Sequence, residues 1–406
     1  MREHDSARDW AESGILSLTG RADGSPIMPP GVGASAARTM STFLAAATMD
    51  TRARISVDGA ALLGERAAFT GRTRNGRVSV GGHTRLLPTL TGWAAISCAR
   101  ADDVALLGAL VEQDLSTTDP WPAVEDWLAG RDVEEIESRI ELLGIAGGVV
   151  PTEIPTTRKA VNLCPGGSRP IAGALVVDFS ALWAGPLCAH LLGLGGARVI
   201  KVETPQRPDG ARRGNPDFYD LLHGGHESVC LDPSTPEGRK ALSELVTRAD
   251  IVIEASRPRA LARFGLDAER FVDAGCVWVS ITARGRESDR IGFGDDVAGS
   301  AGLVALDNDG CPVFVGDAIA DPLAGLTAAT VVLSSPPGRG RLCDISMSDV
   351  IASTLSSQDL ATNNPSESAF GTHLPVAPRR RPLHTPAPTT GENTVGTLAS
   401  LGIAVP

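Results

Sequence analysis

Residues Ala174–Glu203 read ALVVDFSALWAGPLCAHLLGLGGARVIKVE, and this stretch decides the fold class. ALVVDF opens on four consecutive apolar residues, two of them valines, the pattern of a strand covered on both faces. GPLCAHLLGLGG follows with Pro186 in its first turn, a helix signal, and ARVIKVE is the next strand. Two strands joined by a helix within about thirty residues are the pattern expected of a parallel sheet, whose neighbouring strands need such a crossover. Ser180–Ala197 carries no Asp, Glu, Lys or Arg and approaches membrane-spanning length. The Gly185-Pro186 break, His190 and the flanking strands read instead as a buried strand-turn-helix.

The alternation continues to about Met347. In TPEGRKALSELVTRAD, Thr235 is placed as N-cap and Pro236 as first helical residue, with Leu242, Leu245 and Val246 on one face. IVIEAS, CVWVSITA and RLCDISM supply further buried strands. The expected fold is α/β, with an open, mostly parallel sheet and a ligand site at the carboxyl ends of its strands. Up to about residue 156 the texture differs. Asn75-Gly76 in RTRNGRVSV signals a tight hairpin turn, and DVEEIESRIELLG places Val133, Ile136, Ile140 and Leu143 along one helical stripe. This part reads as a smaller α+β domain. The expected organisation is residues 1–156, a linker at 157–170, an α/β domain at 171–356, and at 357–406 a Pro/Thr-rich loop and tail.

A net charge of −11 gives no electrostatic footprint for nucleic acid, so a small-molecule partner is expected. Seven scattered cysteines without a CxxC pair fit a reducing compartment and argue against zinc. MREHDSARDW has no apolar core for a signal peptide, so the cytoplasm is the expected location and no membrane partner is expected.

Among candidate chemical groups, Asp321 in VGDAIADPLAG (Val315–Gly325) precedes Pro322 and an apolar run, as a helix N-cap would. A helix start also stabilises a carboxylate's charge, so a cap and an ionised nucleophile are compatible readings. Asp317 reads as a turn residue bonded to local backbone. His223 and His226 in HGGH match no metal-ligand spacing and read as ordinary histidines. Glu203 stands where a nucleotide-binding βαβ unit holds its ribose acid, but the preceding turn is SALWAGP rather than GxGxxG, which argues against nicotinamide binding. Trp183, Ala184 and Gly185 fall at a strand end, beside a pocket.

The motifs VVDFSALWAGPLCAHLLGLGGARVIKVETP, SVCLDPSTPEGRKAL, ADIVIEASRPRALARFGLD and VGDAIADPLAG together resemble the family III CoA-transferases of the carnitine/bile-acid (CaiB/BaiF) type, in that family's order over about Ile171 to Ser353. The resemblance implies coenzyme A or acyl-CoA as a substrate rather than a permanently bound cofactor, a carboxylic acid as co-substrate, and an interlocked homodimer. It implies Asp321 as the acyl-carrying aspartate. CoA contacts would fall on Trp183 and Ala184, on Leu231 and Asp232, and on Arg263, with Ala255 and Ser256 near the adenine end. Two departures stand out: GGHE replaces the usual basic residues before SVCLD, and EASRPR replaces ENFRPG. The racemases of the superfamily carry a histidine where this chain has Gly294, so the second base of racemisation is absent.

The order of segments also departs. Residues from about Trp10 to Pro155 resemble the family's carboxy half, so the chain looks permuted or like two fused copies that each lost a part. DGSPIMPPGVGAS (Asp23–Ser35) overlays DGCPVFVGDAIAD (Asp309–Asp321) without gaps and puts Ser35, another N-cap residue, opposite Asp321. The reading is therefore an acyl-CoA:carboxylate CoA-transferase working through an aspartyl anhydride and thioester. The alternative is an inactive CoA-binding partner or regulatory subunit, and an acyl-CoA racemase is the weaker third reading.

Overall fold

The computed structural model describes residues 5–153, 163–164, 167–256, 258–356 and 374–406. Parts of the linker expected at 157–170 and of the loop expected from 357 lie outside the described residues.

Eleven strands are described: β1 (Thr84–Pro88), β2 (Trp93–Ser97), β3 (Gly147–Val149), β4 (Leu175–Asp178), β5 (Arg198–Glu203), β6 (Glu227–Cys230), β7 (Ile251–Glu254), β8 (Val277–Thr282), β9 (Val304–Leu306), β10 (Pro312–Phe314) and β11 (Arg341–Ser346). Six of them form one all-parallel sheet in the order β11-β8-β7-β4-β5-β6. The chain winds outward from β4 through β5 to β6, then restarts on the other side of β4 with β7. That reversal opens a crevice between the carboxyl ends of β4 and β7, where open α/β sheets bind ligands.

The two faces of the sheet follow from side-chain alternation along each strand. Val176, Ile251, Ile253, Val277 and Val279 enter one core with the helices Ala184–Leu194 and Ala320–Leu333. Leu175, Val177, Val252 and Trp278 enter the opposite core with the helices Pro236–Thr247 and Ala268–Asp273. Thr235 caps its helix through Gly238 N–H with Pro236 first, as the sequence indicates. The apolar Ser180–Ala197 segment is a buried helix of 11 residues, and among the described residues no helix is long and apolar enough to cross a membrane.

The first eighty residues do not fold apart from this sheet. Trp10, Ile15, Leu16, Leu44 and Leu63 are fully buried in the same core as Leu187 and Leu323. The helix Gly33–Ala47, which carries the upstream echo, lies against Ala320–Leu333, with Thr327 Oγ1 3.4 Å from Met40 Sδ. Further along, β1-β2-β3 form an antiparallel sheet packed on the helices Asp103–Val111, Trp121–Ala129 and Val133–Leu143. Ile136 and Ile140 of the expected stripe are buried, while Val133 at the helix start is exposed. Asn75-Gly76 forms a turn, with Gly76 at φ +65°, but not a hairpin: Gly76 bonds backbone of Gly20 and Phe314. The hairpin turns instead between β1 and β2.

The tail returns to close the sheet. Asn393 Oδ1 accepts from Ser228 N–H and Thr394 Oγ1 from Cys230 N–H, while Asn393 N–H donates to Ser228 C=O. The helix Thr394–Ser400 thus covers the edge strand β6, whose backbone groups would otherwise invite pairing with another chain.

Candidate functional site

The helix Ala320–Leu333 is apolar on all sides, and of its residues only Asp321 is not fully buried. Such a helix belongs at the centre of a fold, so the one acid in it needs a reason. It is not a cap. The helix starts two residues earlier than the sequence suggests, after Ile319, so Asp321 is its second residue and Pro322 its third. The cause is Ala318, held at φ +48°, a left-handed conformation that costs a non-glycine residue on the order of 1 kcal/mol or more. That turn makes Ile319 helical already and lets Ala318 C=O accept from Asp321 N–H at 2.9 Å. In the echo, Ser35 is no cap either but the third residue of its helix, and its hydroxyl donates to Asp9.

Four aspartates converge here, and three have structural partners. Asp295 accepts from Ala318 N–H at 2.7 Å. Asp296 accepts from Ser97 Oγ at 2.7 Å and from Phe293 N–H at 2.9 Å. Asp317 is gripped by both prongs of the Arg66 guanidinium, with Nε 2.8 Å from Oδ2. Asp317 does sit in a turn, yet its carboxylate serves this ion pair and not local backbone. Among the described residues no hydrogen bond or ion pair holds the Asp321 carboxylate, and it keeps an accessible edge. Burial pushes Asp321 up to about 7; Arg66 opposes this, and the neighbouring aspartates add to it. Burial likewise raises Asp295 to about 6 and Asp296 to about 7.

The Asp321 carboxylate abuts the start of the helix Gly294–Ser300. A Cβ at Gly294 would lie 2.5 Å from Asp321 Oδ2 and 2.4 Å from Ala318 C=O. Only glycine permits this approach, and no side chain capable of acting as a second base fits there. On another side Arg66 lies over the Trp183 ring at 5.2 Å, and Trp183 packs edge-on to Phe218. Ala184 opens the helix behind them, its C=O close to Gly325.

From Gly292 and Phe293, next to this centre, a cleft of about 500 Å³ runs along the carboxyl ends of β7 and β8. Ala255, Ser256 and Arg263 line it, as do Arg100, Arg207 and Arg290, with Asp289 as its one acidic wall residue. Arg290 is held by Glu137 at 2.7 Å. Leu231 and Asp232 sit at the end of β6, outside this lining: Leu231 is buried in the far core, and Asp232 bonds Ser234 N–H.

The loop before Trp183 is built from below. Leu182 takes φ +69°, with its N–H on Asp209 Oδ1 at 3.0 Å. Lys201, buried, donates to Ser180 C=O and lies 2.9 Å from Asp209 and 3.7 Å from Asp178. Glu203 is engaged by Arg212 at 2.6 Å and by Asp209 N–H, which leaves it unsuited to a ribose. His223 and His226 are buried beside this network; burial holds His223 well below its usual range and His226 down at about 3. Among the described residues no group of three or more His, Cys, Asp or Glu is arranged to hold a metal ion.

Of the residues named from the sequence, Ala255, Ser256 and Arg263 line the cleft, Trp183 lies against Arg66, and Leu231 and Asp232 lie apart; Arg66, Arg100, Arg207 and Arg290 were not named from the sequence. Arg66 and Asp317 are 251 residues apart, beyond any local spacing signal.

Known proteins share this pattern. The succinate–glutarate CoA-transferase of Agrobacterium fabrum is 30% identical over 221 residues, covering 48% of this chain and 55% of that protein. The succinyl-CoA–D-citramalate CoA-transferase of Chloroflexus aurantiacus is 30% identical over 208 residues, covering 47% and 52%. The chain thus spans about half the length of the curated relatives it matches. A crystal structure of a CaiB/BaiF family protein from Brucella suis aligns at 28% identity and a TM-score of 0.43, over 49% of this chain and 59% of that one. The model of CoA-transferase family III matches residues 171–381, more than half of the sequence, and the chain belongs to that family.

Proposed function

We propose that the chain moves CoA between an acyl-CoA and a carboxylic acid, with Asp321 as the nucleophile. The observation that carries the reading is the contrast among four clustered aspartates: three are spent on structure, and Asp321 alone is left unbonded with an open edge. Its ionised oxygen attacks the thioester carbonyl, and the C–S bond breaks to give an acyl-aspartyl anhydride and CoA thiolate. The thiolate attacks the aspartyl carbonyl, releasing the first acid and leaving an aspartyl-CoA thioester. The second acid attacks that thioester and regenerates an anhydride and thiolate. Attack of the thiolate on the new acyl carbonyl forms the new acyl-CoA and frees Asp321.

Each attack develops an oxyanion. The first N–H groups of the Gly294–Ser300 helix, which abuts Asp321 Oδ2, have no partner within the helix and are the candidate donors. The arginine-lined cleft suits the phosphates of CoA, and supports Ala255, Ser256 and Arg263 as contacts, with Trp183 and Ala184 nearer the thioester. Leu231 and Asp232 remain proposed contacts at the β6 end. The relatives point to dicarboxylic acids as the acceptors to try first.

The test is CoA exchange from acetyl-, formyl- and succinyl-CoA to a panel of mono- and dicarboxylic acids, with wild type and Asp321→Asn. Exchange by wild type and none by the variant is expected. Exchange by both refutes the assignment, and CoA binding without exchange by either supports an inactive CoA-binding protein. A homodimer is expected in sedimentation, and a monomer at micromolar concentration counts against it.

A further inference from the structure

The geometry points to Arg66, supplied by the amino-terminal part of the same chain, as the positioning residue that fixes Asp321 and keeps it ionised. The inference rests on the reading of Asp321 as nucleophile and adds to it the function of a segment that the family match at residues 171–381 does not include.

Arg66 stands on the helix Glu65–Thr70. Its guanidinium forks onto Asp317 and lies over Trp183, so an ion pair and a ring contact hold it. Asp317 is only 1% exposed and immediately precedes Ala318, the left-handed residue from which the helix of Asp321 springs. Asp295 holds the other side of that residue through Ala318 N–H. On either side of Ala318 the strained turn is therefore pinned by the Arg66–Asp317 ion pair and the Asp295 hydrogen bond, which set the position of Asp321.

Helix Glu65–Thr70 is itself anchored from behind. Glu65, buried, takes both prongs of Arg381, with Oε2 2.7 Å from the guanidinium. Two more contacts tie the same segment to the turn: Thr19 Oγ1 accepts from Gly316 N–H, and Ile15 packs against Gly316.

The charges facing Asp321 are few. Asp295 and Asp296 come from the helix Gly294–Ser300 and Asp317 from the turn, all of which oppose its ionisation; Arg66 is the cation that favours it. Helix Ala184–Leu194 brings Cys188, whose thiol burial raises, and His190, which is held neutral by burial and by Arg381, and β11 brings Arg341, Cys343 and Asp344. Helix Gly33–Ala47 brings Arg38, which pairs with Asp9 and Glu12, and helix Met347–Ala352 brings Asp349. Among the described residues, Arg66 is the cation set against the three acids around the nucleophile.

The test follows the 13Cγ resonance of Asp321 from pH 4 to 9, assigned by its loss in Asp321→Asn, beside the pH profile of CoA exchange. Wild type is expected to titrate near pH 7. Arg66→Gln is expected to move that midpoint, and the acid limb of exchange, upward by a pH unit or more, which is at least tenfold in rate on the acid side. Because Arg66→Gln leaves Asp317 buried without its partner, the double variant Arg66→Gln/Asp317→Asn is carried in parallel. It keeps a neutral hydrogen-bonding pair and is expected to fold, with a smaller upward shift, since one favourable and one unfavourable charge leave together. Arg66→Lys, charged but unable to fork, is expected to retain the wild-type midpoint more closely than Arg66→Gln while losing kcat. A folded variant without Arg66 whose Asp321 midpoint and acid limb both stay in place overturns the inference. Exchange that survives Asp321→Asn overturns the nucleophile reading instead, and the resonance still reports whether Arg66 holds the charge.

Discussion

Replacing Gly294 with alanine adds one methyl group at the tightest point of the site. The new Cβ would stand 2.4 Å from Ala318 C=O, 2.6 Å from Ala318 Cβ and 2.5 Å from Asp321 Oδ2, where ordinary contact begins at 3.4 Å. Relief needs a movement of roughly 1 Å, so the question is which neighbour moves. The helix bearing Gly294 is tied down by Asp296 to Ser97 and Phe293, and Ala318 is tied by Asp295. The Asp321 side chain is the least constrained of the three. Overpacking of this kind costs about 1–3 kcal/mol of stability, and a misplacement of about 1 Å costs on the order of 100-fold in rate. The assay is steady-state CoA exchange alongside urea unfolding followed by circular dichroism. Gly396→Ala serves as control: nothing lies within 4 Å of its Cβ position, in the helix Thr394–Ser400, so stability there should hold or rise by up to about 1 kcal/mol. A Gly294→Ala protein with wild-type kcat and an unchanged urea midpoint refutes the argument that this glycine shapes the nucleophile's seat.

Three further outcomes are expected. CoA exchange should rise with pH through about 7, because Asp321 attacks only when ionised and burial raises its pKa; a flat kcat/KM between pH 5 and 8 contradicts this. Lys201→Met should destabilise the chain by about 3–5 kcal/mol in urea, since Asp178 and Asp209 are left as buried carboxyls without their cation; a loss under 1 kcal/mol means the network is not needed for folding. Truncation after Thr389 removes the cover of β6 and should raise concentration-dependent aggregation in light scattering, with an unchanged aggregation rate as the contrary result.

What was legible in the sequence was local. The strands β4, β5, β7, β8 and β11 each announce themselves by a short apolar run, and the cap at Thr235 by its Pro. The start of the Asp321 helix lies two residues before the expected one because Ala318, not Asp321, turns the chain, and nothing in an alanine announces a left-handed conformation. Asn75-Gly76 carries the right turn chemistry, but its backbone finds partners at Gly20 and Phe314 rather than across a hairpin. Asp317 looked like a turn residue because its true partner, Arg66, is set by tertiary packing. Three arginines of the cleft were missed for the same reason: Arg100, Arg207 and Arg290 meet Arg263 only when the sheet brings separate loops together.

The cover of β6 has a consequence in time. Ser228 and its partner Asn393 are 165 residues apart, which at about 5–20 residues per second is roughly 8–30 s of synthesis. Throughout that interval the nascent sheet has an open margin, so a chain stalled or cleaved before the tail emerges is the form that quality-control machinery has to intercept.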